Sequence, residues 1–122
     1  MLIADDYAPL RKSMRVVLEN AGFEVIEAEN GAVALGTLVS NDVDVVLLDL
    51  NMPVCDGYEV LRRLDRPRPP VIVLSAFKQD SAAEVLAEFD DIVFAVLRKP
   101  VAPALLCDRV SSASEEARLV QS

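Results

Sequence analysis

Short apolar runs alternate along the chain with stretches in which apolar residues recur at helical spacing. The runs predict five strands, at residues 2–4, 23–28, 43–48, 71–74 and 92–97. The third run is apolar at nearly every position, which is typical of a strand in the centre of a parallel sheet. The second run alternates apolar and polar residues, which predicts a strand with one more polar face. Together these patterns indicate one sheet with a buried centre.

The stretches between the runs predict five helices. Pro9 suits the first turn of the first helix, and Gly22 suits its C-terminal end. The other helix signals are Asn30 as an N-cap, Tyr58 to Leu64 at helical spacing, Ser81 with Glu84 as a capping box, and Pro103 at the start of the last helix. Strand and helix alternate five times. This predicts a doubly wound α/β domain, a (βα)5 fold with a five-stranded parallel sheet and helices on both faces.

The length and composition suit a single domain. The chain has 122 residues, 52% of them apolar, and neither an internal repeat nor a second domain is evident. We therefore expect one domain over residues 1–122. From about residue 111 the chain becomes polar, which predicts either the end of the last helix or the start of a linker. The chain fits a fragment of a longer protein at least as well as a stand-alone one.

The charge balance argues against several classes of partner. Twelve basic and twenty acidic side chains give a formal charge of −8, which disfavours direct binding to nucleic acid or to an anionic membrane. No apolar run is long enough to span a bilayer and the N-terminus lacks the plan of a signal peptide, so we expect a cytoplasmic protein. Cys55 and Cys107 are expected to be reduced thiols. The chain has no histidine, which excludes histidine-based catalysis by its own residues.

Polar side chains stand where four of the predicted strands end. Asp5 and Asp6 follow the first strand, Asp49 the third, Ser75 the fourth and Lys99 the fifth. In an open parallel sheet, ligands bind outside the carboxyl ends of the strands, so we expect these side chains to share one crevice. Three carboxylates in one crevice repel one another unless a cation joins them. The sequence therefore predicts a metal site, and its oxygen ligands favour Mg²⁺ held by Asp5 or Asp6 together with Asp49.

The same residue types could accept and hold a phosphoryl group. A carboxylate such as Asp49 can attack phosphorus and form an acyl phosphate, provided that the charge on the incoming group is neutralised. The metal and Lys99 could supply that neutralisation. Ser75 could donate a hydrogen bond to a phosphoryl oxygen, a contact that exists only in the modified state. Such a contact can drive a two-state switch.

With these residues in these positions, the chain resembles the receiver domain of bacterial two-component response regulators. The segments that carry the resemblance are Ile3-Ala4-Asp5-Asp6, Val46-Leu47-Leu48-Asp49-Leu50-Asn51-Met52-Pro53 with Asp56-Gly57, Val73-Leu74-Ser75-Ala76 and Leu97-Arg98-Lys99-Pro100. They follow the order of the family at nearly its spacing and cover essentially the whole chain. The resemblance implies a flavodoxin-like fold with strand order 2-1-3-4-5.

The resemblance also implies a role for each site residue. Asp49 would accept a phosphoryl group from a sensor histidine kinase or a phosphotransfer protein. Asp5 and Asp6 would bind Mg²⁺ with help from Asp49 and from the backbone carbonyl of Asn51. Lys99 would pair with the phosphate.

The resemblance further implies how the signal would leave the site. Ser75 would be the switch hydroxyl, and the peptide bond before Pro100 would be cis. A downstream effector protein or domain would read the phosphorylated state. The sequence leaves open a homodimer formed through the fourth helix, the fifth strand and the fifth helix.

Some positions depart from the family pattern. Val96 stands three residues before Lys99, where the family often has an aromatic residue that turns inward on phosphorylation. Strand alternation predicts that Phe94 lies on the same face as Val96, either as core or as a substitute for that aromatic residue. Phe89-Asp90-Asp91 replaces the usual Gly-Ala before the fifth strand, and Phe77 could shield the acyl phosphate from water.

Three alternatives compete with a signalling module that has no dedicated substrate turnover. A phosphatase or phosphotransferase of the haloacid-dehalogenase type uses an Asp-x-Asp pair, whereas Asp49 is followed by Leu50-Asn51. A flavodoxin uses a Ser/Thr- or Gly-rich phosphate loop after the first strand, which this sequence lacks. A degenerate receiver that only binds partners is disfavoured by the intact acidic, hydroxyl and lysine side chains. We therefore predict a phosphoacceptor module that is not an enzyme.

Overall fold

The chain folds around one parallel β-sheet. A computed structural model describes residues 1–50, 52, 55–64, 69–75, 87–89 and 91–121, with side chains as far as residue 117. Its five strands are β1 (Leu2–Ala4), β2 (Ile26–Ala28), β3 (Val46–Asp49), β4 (Val71–Ser75) and β5 (Val93–Arg98). They are ordered β2-β1-β3-β4-β5, and every neighbouring pair is parallel. The predicted fold class and strand order are confirmed.

Helices cover both faces of the sheet. They are α1 (Ala8–Asn20), α2 (Gly31–Ser40), α3 (Gly57–Arg63) and the C-terminal helix (Pro103–Gln121). Residues 87–89 are also helical, whereas the predicted capping box at Ser81 and Glu84 lies outside the described residues. The C-terminal helix continues well past residue 111, where the sequence turns polar. No helix within the described part of the chain is long and apolar enough to cross a membrane.

The end of α1 explains why β2 is shorter than its apolar pattern predicts. Gly22 adopts a φ of 98°, which a glycine reaches without strain, and its N–H donates to the carbonyl oxygen of Glu19. The N–H of Phe23 donates to the carbonyl oxygen of Leu18, which completes a Schellman motif. Phe23 therefore belongs to the helix end, and the strand begins only at Ile26.

The hydrophobic core has two layers, one on each face of the sheet. On β1, Leu2 and Ala4 pack in the layer that contains α2 and α3, and Ile3 packs in the layer that contains α1 and the C-terminal helix. The middle of β3 alternates in the same way, with Val46 and Leu48 on the first side and Leu47 on the second. Both faces of the central strands are thus buried, which accounts for their continuous apolar runs.

The edge strand β5 contains an irregularity that alternation could not predict. Val93 pairs with Val71, but the next residue of β4, Ile72, pairs with Ala95. Phe94 is therefore an extra residue in β5, as in a β-bulge. One added residue shifts every earlier side chain of the strand to the opposite face relative to the later ones.

The bulge separates Phe94 from Val96. Phe94 packs against the layer that contains α1 and the C-terminal helix, whereas Val96 packs against the layer that contains α2 and α3. The expectation that these two residues share a face was wrong. Phe94 is consequently partly buried against the core of the other layer, and it cannot substitute for an aromatic side chain at the position of Val96.

Candidate functional site

The acidic residues predicted from the strand ends converge at one edge of the sheet. Asp5 and Asp6 follow β1, and Asp49 is the last residue of β3, the strand that neighbours β1. One carboxylate oxygen from each of the three lies within 4.8 Å of the others. Asp5 is fully buried and Asp49 is 2% exposed, whereas Asp6 faces solvent. The cluster is therefore a pocket with two buried acids and one at its rim.

The surroundings of Asp5 fit a bound cation. Its Oδ1 accepts a hydrogen bond of 2.9 Å from the N–H of Tyr7, and its own N–H donates to the carbonyl oxygen of Ala28 at 3.1 Å. Its Oδ2 is buried and receives no well-directed hydrogen bond from the described residues, although an ammonium lies in ion-pair contact with it. A buried carboxylate oxygen in this state is costly without a positive partner, and three carboxylates are a donor set for a hard divalent ion.

That ammonium belongs to Lys99, which follows β5. Its Nζ lies 3.0 Å from Asp5 Oδ2 and 3.3 Å from Asp49 Oδ2, and its side chain is 18% exposed. Burial by itself would lower the pKa of Lys99, but the two carboxylates outweigh it, and the pKa is raised. Lys99 is thus a fixed positive charge inside the acidic pocket at neutral pH.

Backbone pairing brings Ser75 and Lys99 to the same edge. Ser75 ends β4, is almost fully buried, and accepts a hydrogen bond of 2.9 Å from the N–H of Lys99 through its carbonyl oxygen. The residue before it, Leu74, pairs with Asp49. The bond between Lys99 and Pro100 is cis, as the resemblance implied. Asn51 and Phe77 lie outside the described residues.

A glycine lets α3 approach the pocket closely. A Cβ atom at Gly57 would lie 2.5 Å from the carbonyl oxygen of Asp49 and 2.7 Å from Cα of Leu50. The N–H of Gly57 also donates to the carbonyl oxygen of Leu50 at 3.1 Å. Asp56 caps α3 by accepting a hydrogen bond from the N–H of Glu59. The Asp56-Gly57 pair therefore shapes the backbone behind Asp49.

Two arginines of α1, Arg11 and Arg15, were missed as participants from sequence. Arg11, on α1, donates from Nη1 to the carbonyl oxygen of Asp5 and from Nε to Glu27 Oε1, each at 2.7 Å. Arg15 Nη1 donates to the other oxygen of Glu27, also at 2.7 Å. The arginine hydrogen bonds are the main reason that the pKa of Glu27 falls to about 2. The available signal was weak, because it consisted only of an acid on β2 and arginines one turn apart on α1.

Comparison with known proteins identifies the class to which this fold and site belong. A family model described as the response regulator receiver domain matches residues 1–111. The chain belongs to this family. The predicted family and the predicted function as a phosphoacceptor signalling module are thereby confirmed, and the haloacid-dehalogenase alternative is not favoured. The roles of the individual site residues stay predictions.

Relatives and solved structures agree with the family. The chain is 42% identical over 89 residues to a protein-glutamate methylesterase/protein-glutamine glutaminase of Rhodospirillum rubrum, covering 72% of this chain and 24% of that protein. It is 35% identical over 116 residues to the transcriptional regulatory protein ResD of Bacillus subtilis, covering 92% and 46%. The receiver domain of AraT from Geobacillus stearothermophilus is 32% identical, with a TM-score of 0.84, covering 99% of this chain and 96% of that one.

The chain corresponds to only part of each of these curated relatives. The chain spans 24% and 46% of the length of the two curated relatives, which therefore carry regions that it does not match. A receiver-domain structure from Clostridium thermocellum, 29% identical, is matched over 96% of its length and 98% of this chain, with a TM-score of 0.87. The shared unit is the receiver domain. Because one relative is a methylesterase, the expectation that the chain is not an enzyme stays a prediction.

Proposed function

We propose that Asp49 is the phosphoacceptor. The observation that carries this proposal is its position: a nearly buried carboxylate, 3.3 Å from the ammonium of Lys99 and within 4.8 Å of oxygens of Asp5 and Asp6. An oxygen of Asp49 attacks the phosphorus of a phosphohistidine on the donor protein. The P–N bond breaks, its electron pair returns to the imidazole, and an acyl phosphate forms on Asp49.

We propose Mg²⁺ as the bound cation, with Asp5, Asp6 and Asp49 as its protein ligands. Three clustered carboxylate oxygens suit this ion, which accepts few protein ligands and keeps waters for the rest of its shell. The backbone carbonyl of Asn51 is a fourth expected ligand, by resemblance alone. When bound, Mg²⁺ neutralises charge on the phosphoryl oxygens and on the carboxylates, which allows two anions to approach each other.

Lys99 and Ser75 act on the phosphoryl group. The ammonium of Lys99 balances Asp5 and Asp49 before the reaction, and afterwards it pairs with a phosphoryl oxygen. The hydroxyl of Ser75 donates a hydrogen bond that only the phosphorylated state can accept. Because this contact exists in only one of the two states, it can make the end of β4 a two-state switch. The bulge in β5 supports a switch without an inward aromatic residue, because Phe94 packs on the opposite face from Val96.

The partners follow from this chemistry. We propose a sensor histidine kinase or a phosphotransfer protein as donor and a downstream effector protein or domain as reader. A cytoplasmic location agrees with such partners. The chain itself turns over no substrate beyond its own phosphorylation and dephosphorylation. A homodimer through the fourth helix, β5 and the C-terminal helix is a further proposal, tested by size-exclusion chromatography of the phosphorylated and unphosphorylated protein.

The deciding experiment is exposure to a small acyl-phosphate donor with Mg²⁺, followed by intact-mass measurement. We expect the wild type to gain one phosphoryl group and Asp49→Asn to gain none. Omission of Mg²⁺ should suppress the addition. Steady release of phosphate from many different substrates, lost in Asp49→Asn, would instead support a phosphatase that uses Asp49 as its nucleophile, and phosphorylation of the variant at the wild-type rate would refute the role of Asp49.

A further inference from the structure

We propose that Arg11 is a positioning residue: it fixes the backbone at Asp5, and this holds the carboxylates of Asp5 and Asp6 where they can bind Mg²⁺. Arg11 would thereby set the Mg²⁺ affinity of the pocket. This inference rests on the proposed function. The guanidinium of Arg11 joins two elements that are separate in sequence. Nη1 donates to the carbonyl oxygen of Asp5 and Nε donates to Glu27 Oε1, both at 2.7 Å. The side chain is only 11% exposed, so these contacts are largely shielded from water.

The second partner, Glu27, is itself firmly held. It lies on β2 in register with Ile3 of β1. Its Oε2 accepts a hydrogen bond of 2.7 Å from Arg15 Nη1, and Lys12 Nζ lies 3.6 Å from its Oε1. The side chain is 13% exposed. Glu27 therefore offers Arg11 an anchored carboxylate, and the planar guanidinium can contact this carboxylate and the Asp5 carbonyl at the same time.

Both backbone polar groups of Asp5 are consequently held by hydrogen bonds. The N–H of Asp5 is bonded to Ala28 of β2, and its carbonyl oxygen is bonded to Arg11. The orientation of that carbonyl sets the direction in which the chain continues to Asp6. No hydrogen bond or ion pair within the described residues holds the carboxylate of Asp6 itself. Its placement toward Asp5 and Asp49 therefore depends on the backbone that Arg11 orients.

Charge balance explains why an arginine can occupy this place. A lone guanidinium next to a cation site would repel the incoming cation. Here Glu27 contributes a compensating negative charge in direct contact with Arg11. The pair can therefore orient the backbone while adding no net charge beside the pocket. Removal of either member should weaken Mg²⁺ binding, Arg11 through geometry and Glu27 through the positive charge that is left behind.

Arg15 provides a matched control. It stands one turn further along α1 and contacts the same carboxylate, Glu27, together with Glu19, but it does not contact Asp5. Arg15→Ala removes the same side chain from the same helix and loosens the same partner. A purely structural role for Arg11 would give the two alanine variants similar behaviour in Mg²⁺ binding.

The test is a calorimetric Mg²⁺ titration of the whole chain, with the free energy of unfolding measured in urea for each variant. We expect Arg11→Ala to weaken Mg²⁺ binding by roughly tenfold or more, as for other groups that orient metal ligands. Arg11→Lys should be intermediate, because an ammonium is not a planar fork. Arg15→Ala should bind within about twofold of the wild type, even if it loses similar stability through Glu27.

Each outcome decides the question. Equal Mg²⁺ affinity in Arg11→Ala and Arg15→Ala, with wild-type phosphorylation intact, would overturn the positioning role and leave the proposed function standing. Should Arg11→Ala fail to fold, the comparison passes to Arg11→Lys against Arg15→Lys, and equal affinities there overturn the role as well. Failure of the wild type to bind Mg²⁺ or to gain a phosphoryl group would instead remove the proposed function. Backbone amide shifts of Asp6 and Tyr7 that move in Arg11→Lys but not in Arg15→Lys would support the inference.

Discussion

Two carboxylates on neighbouring strands, Asp5 directly after β1 and Glu27 within β2, have opposite environments. Both oxygens of Glu27 are occupied by arginine side chains, and its pKa falls to about 2. Asp5 is more deeply buried, yet its Oδ2 receives no well-directed hydrogen bond from the described residues and has only the ammonium of Lys99 nearby. Glu27, whose two oxygens both accept hydrogen bonds, therefore has a structural role. Asp5, whose Oδ2 receives no well-directed hydrogen bond from the described residues, is available for a ligand.

At this edge of the sheet, the ion pairs that contribute to stability differ from those that surround the proposed ligand site. The ion pairs of Glu27 join α1 to β2 and are complete without any ligand. Within the described residues, Asp5 and Asp49 both form ion pairs with the ammonium of Lys99. Burying charged groups costs free energy, and a divalent cation or a phosphoryl group would change the charge balance around these side chains. Variants of the two regions should therefore respond differently to Mg²⁺.

The largest difference is expected for Asp5→Asn. Loss of one buried carboxylate removes a charge attraction to the metal worth several kcal/mol, so Mg²⁺ affinity should fall by roughly 100-fold. Asp44→Asn is the matched control, because Asp44 contacts Ser114 of the C-terminal helix and not the pocket. Calorimetric titration measures both. Equal Mg²⁺ affinity in the two variants would contradict the assignment of Asp5 as a ligand.

Lys99→Met removes the positive charge that pairs with Asp5 and Asp49. In the absence of divalent ions, Asp5 and Asp49 lose their shared ammonium, and the free energy of unfolding should fall by about 2 kcal/mol. Saturating Mg²⁺ should recover much of this loss, because a ligand that binds only the folded state stabilises it. Lys12→Met, which removes a largely exposed ammonium near Glu27, should change stability by less than about 0.5 kcal/mol in either condition. Urea unfolding with EDTA and with Mg²⁺ gives the comparison, and a Lys99→Met deficit that is insensitive to Mg²⁺ would count against it.

The pocket around Asp5 was easier to predict from the sequence than the ion pairs around Glu27. Asp5, Asp49, Ser75 and Lys99 stand at the ends of apolar runs, and a parallel sheet brings such ends together whatever the detail of the packing. Arg11 and Glu27 meet only because α1 lies beside β2, and the spacing of the two residues in the chain does not indicate this. Strand order is therefore a sufficient guide to a pocket formed by strand ends, but it says little about the helix contacts that surround it.

The error over Phe94 has a similar cause. Alternation assigns faces correctly along β1 and in the middle of β3, where each residue pairs in step with its neighbour. In β5 the register shifts between the first two pairs, and every assignment that crosses the shift is reversed. A bulge depends on how two strands pair, so the sequence of one strand does not show it. Ser75 and Lys99 lie beyond the shift, which is why their convergence was still predictable.

Glu27→Gln should reduce stability in a pH-dependent way. The pKa of Glu27 is lowered to about 2 by Arg15 and Arg11, so its stabilisation is complete above its unfolded pKa, near 4.3, and is lost as pH falls toward 2. After allowance for solvent screening, the contribution is about 2 kcal/mol. The deficit of the variant should be constant between about pH 5 and 8 and should shrink below about pH 4.5. Urea unfolding across this range checks it, and a deficit that grows in acid would refute the ion-pair explanation.

The smallest expected change in Mg²⁺ affinity concerns Asp56. This acid lies near the pocket, but its carboxylate already has a structural role. It caps α3 through the N–H of Glu59, and it is absent from the cluster of Asp5, Asp6 and Asp49. Asp56→Ala should cost about 1 kcal/mol of unfolding free energy, and Asp56→Asn should cost little, because asparagine caps a helix equally well. Both variants should bind Mg²⁺ within about twofold of the wild type, since no metal ligand is altered. Asp56→Asn keeps the helix cap and removes only the charge. Weaker Mg²⁺ binding in this variant would show that an acid outside the three proposed ligands contributes to Mg²⁺ affinity. It would thereby contradict the assignment of hydrogen-bonded carboxylates such as Asp56 to a purely structural role.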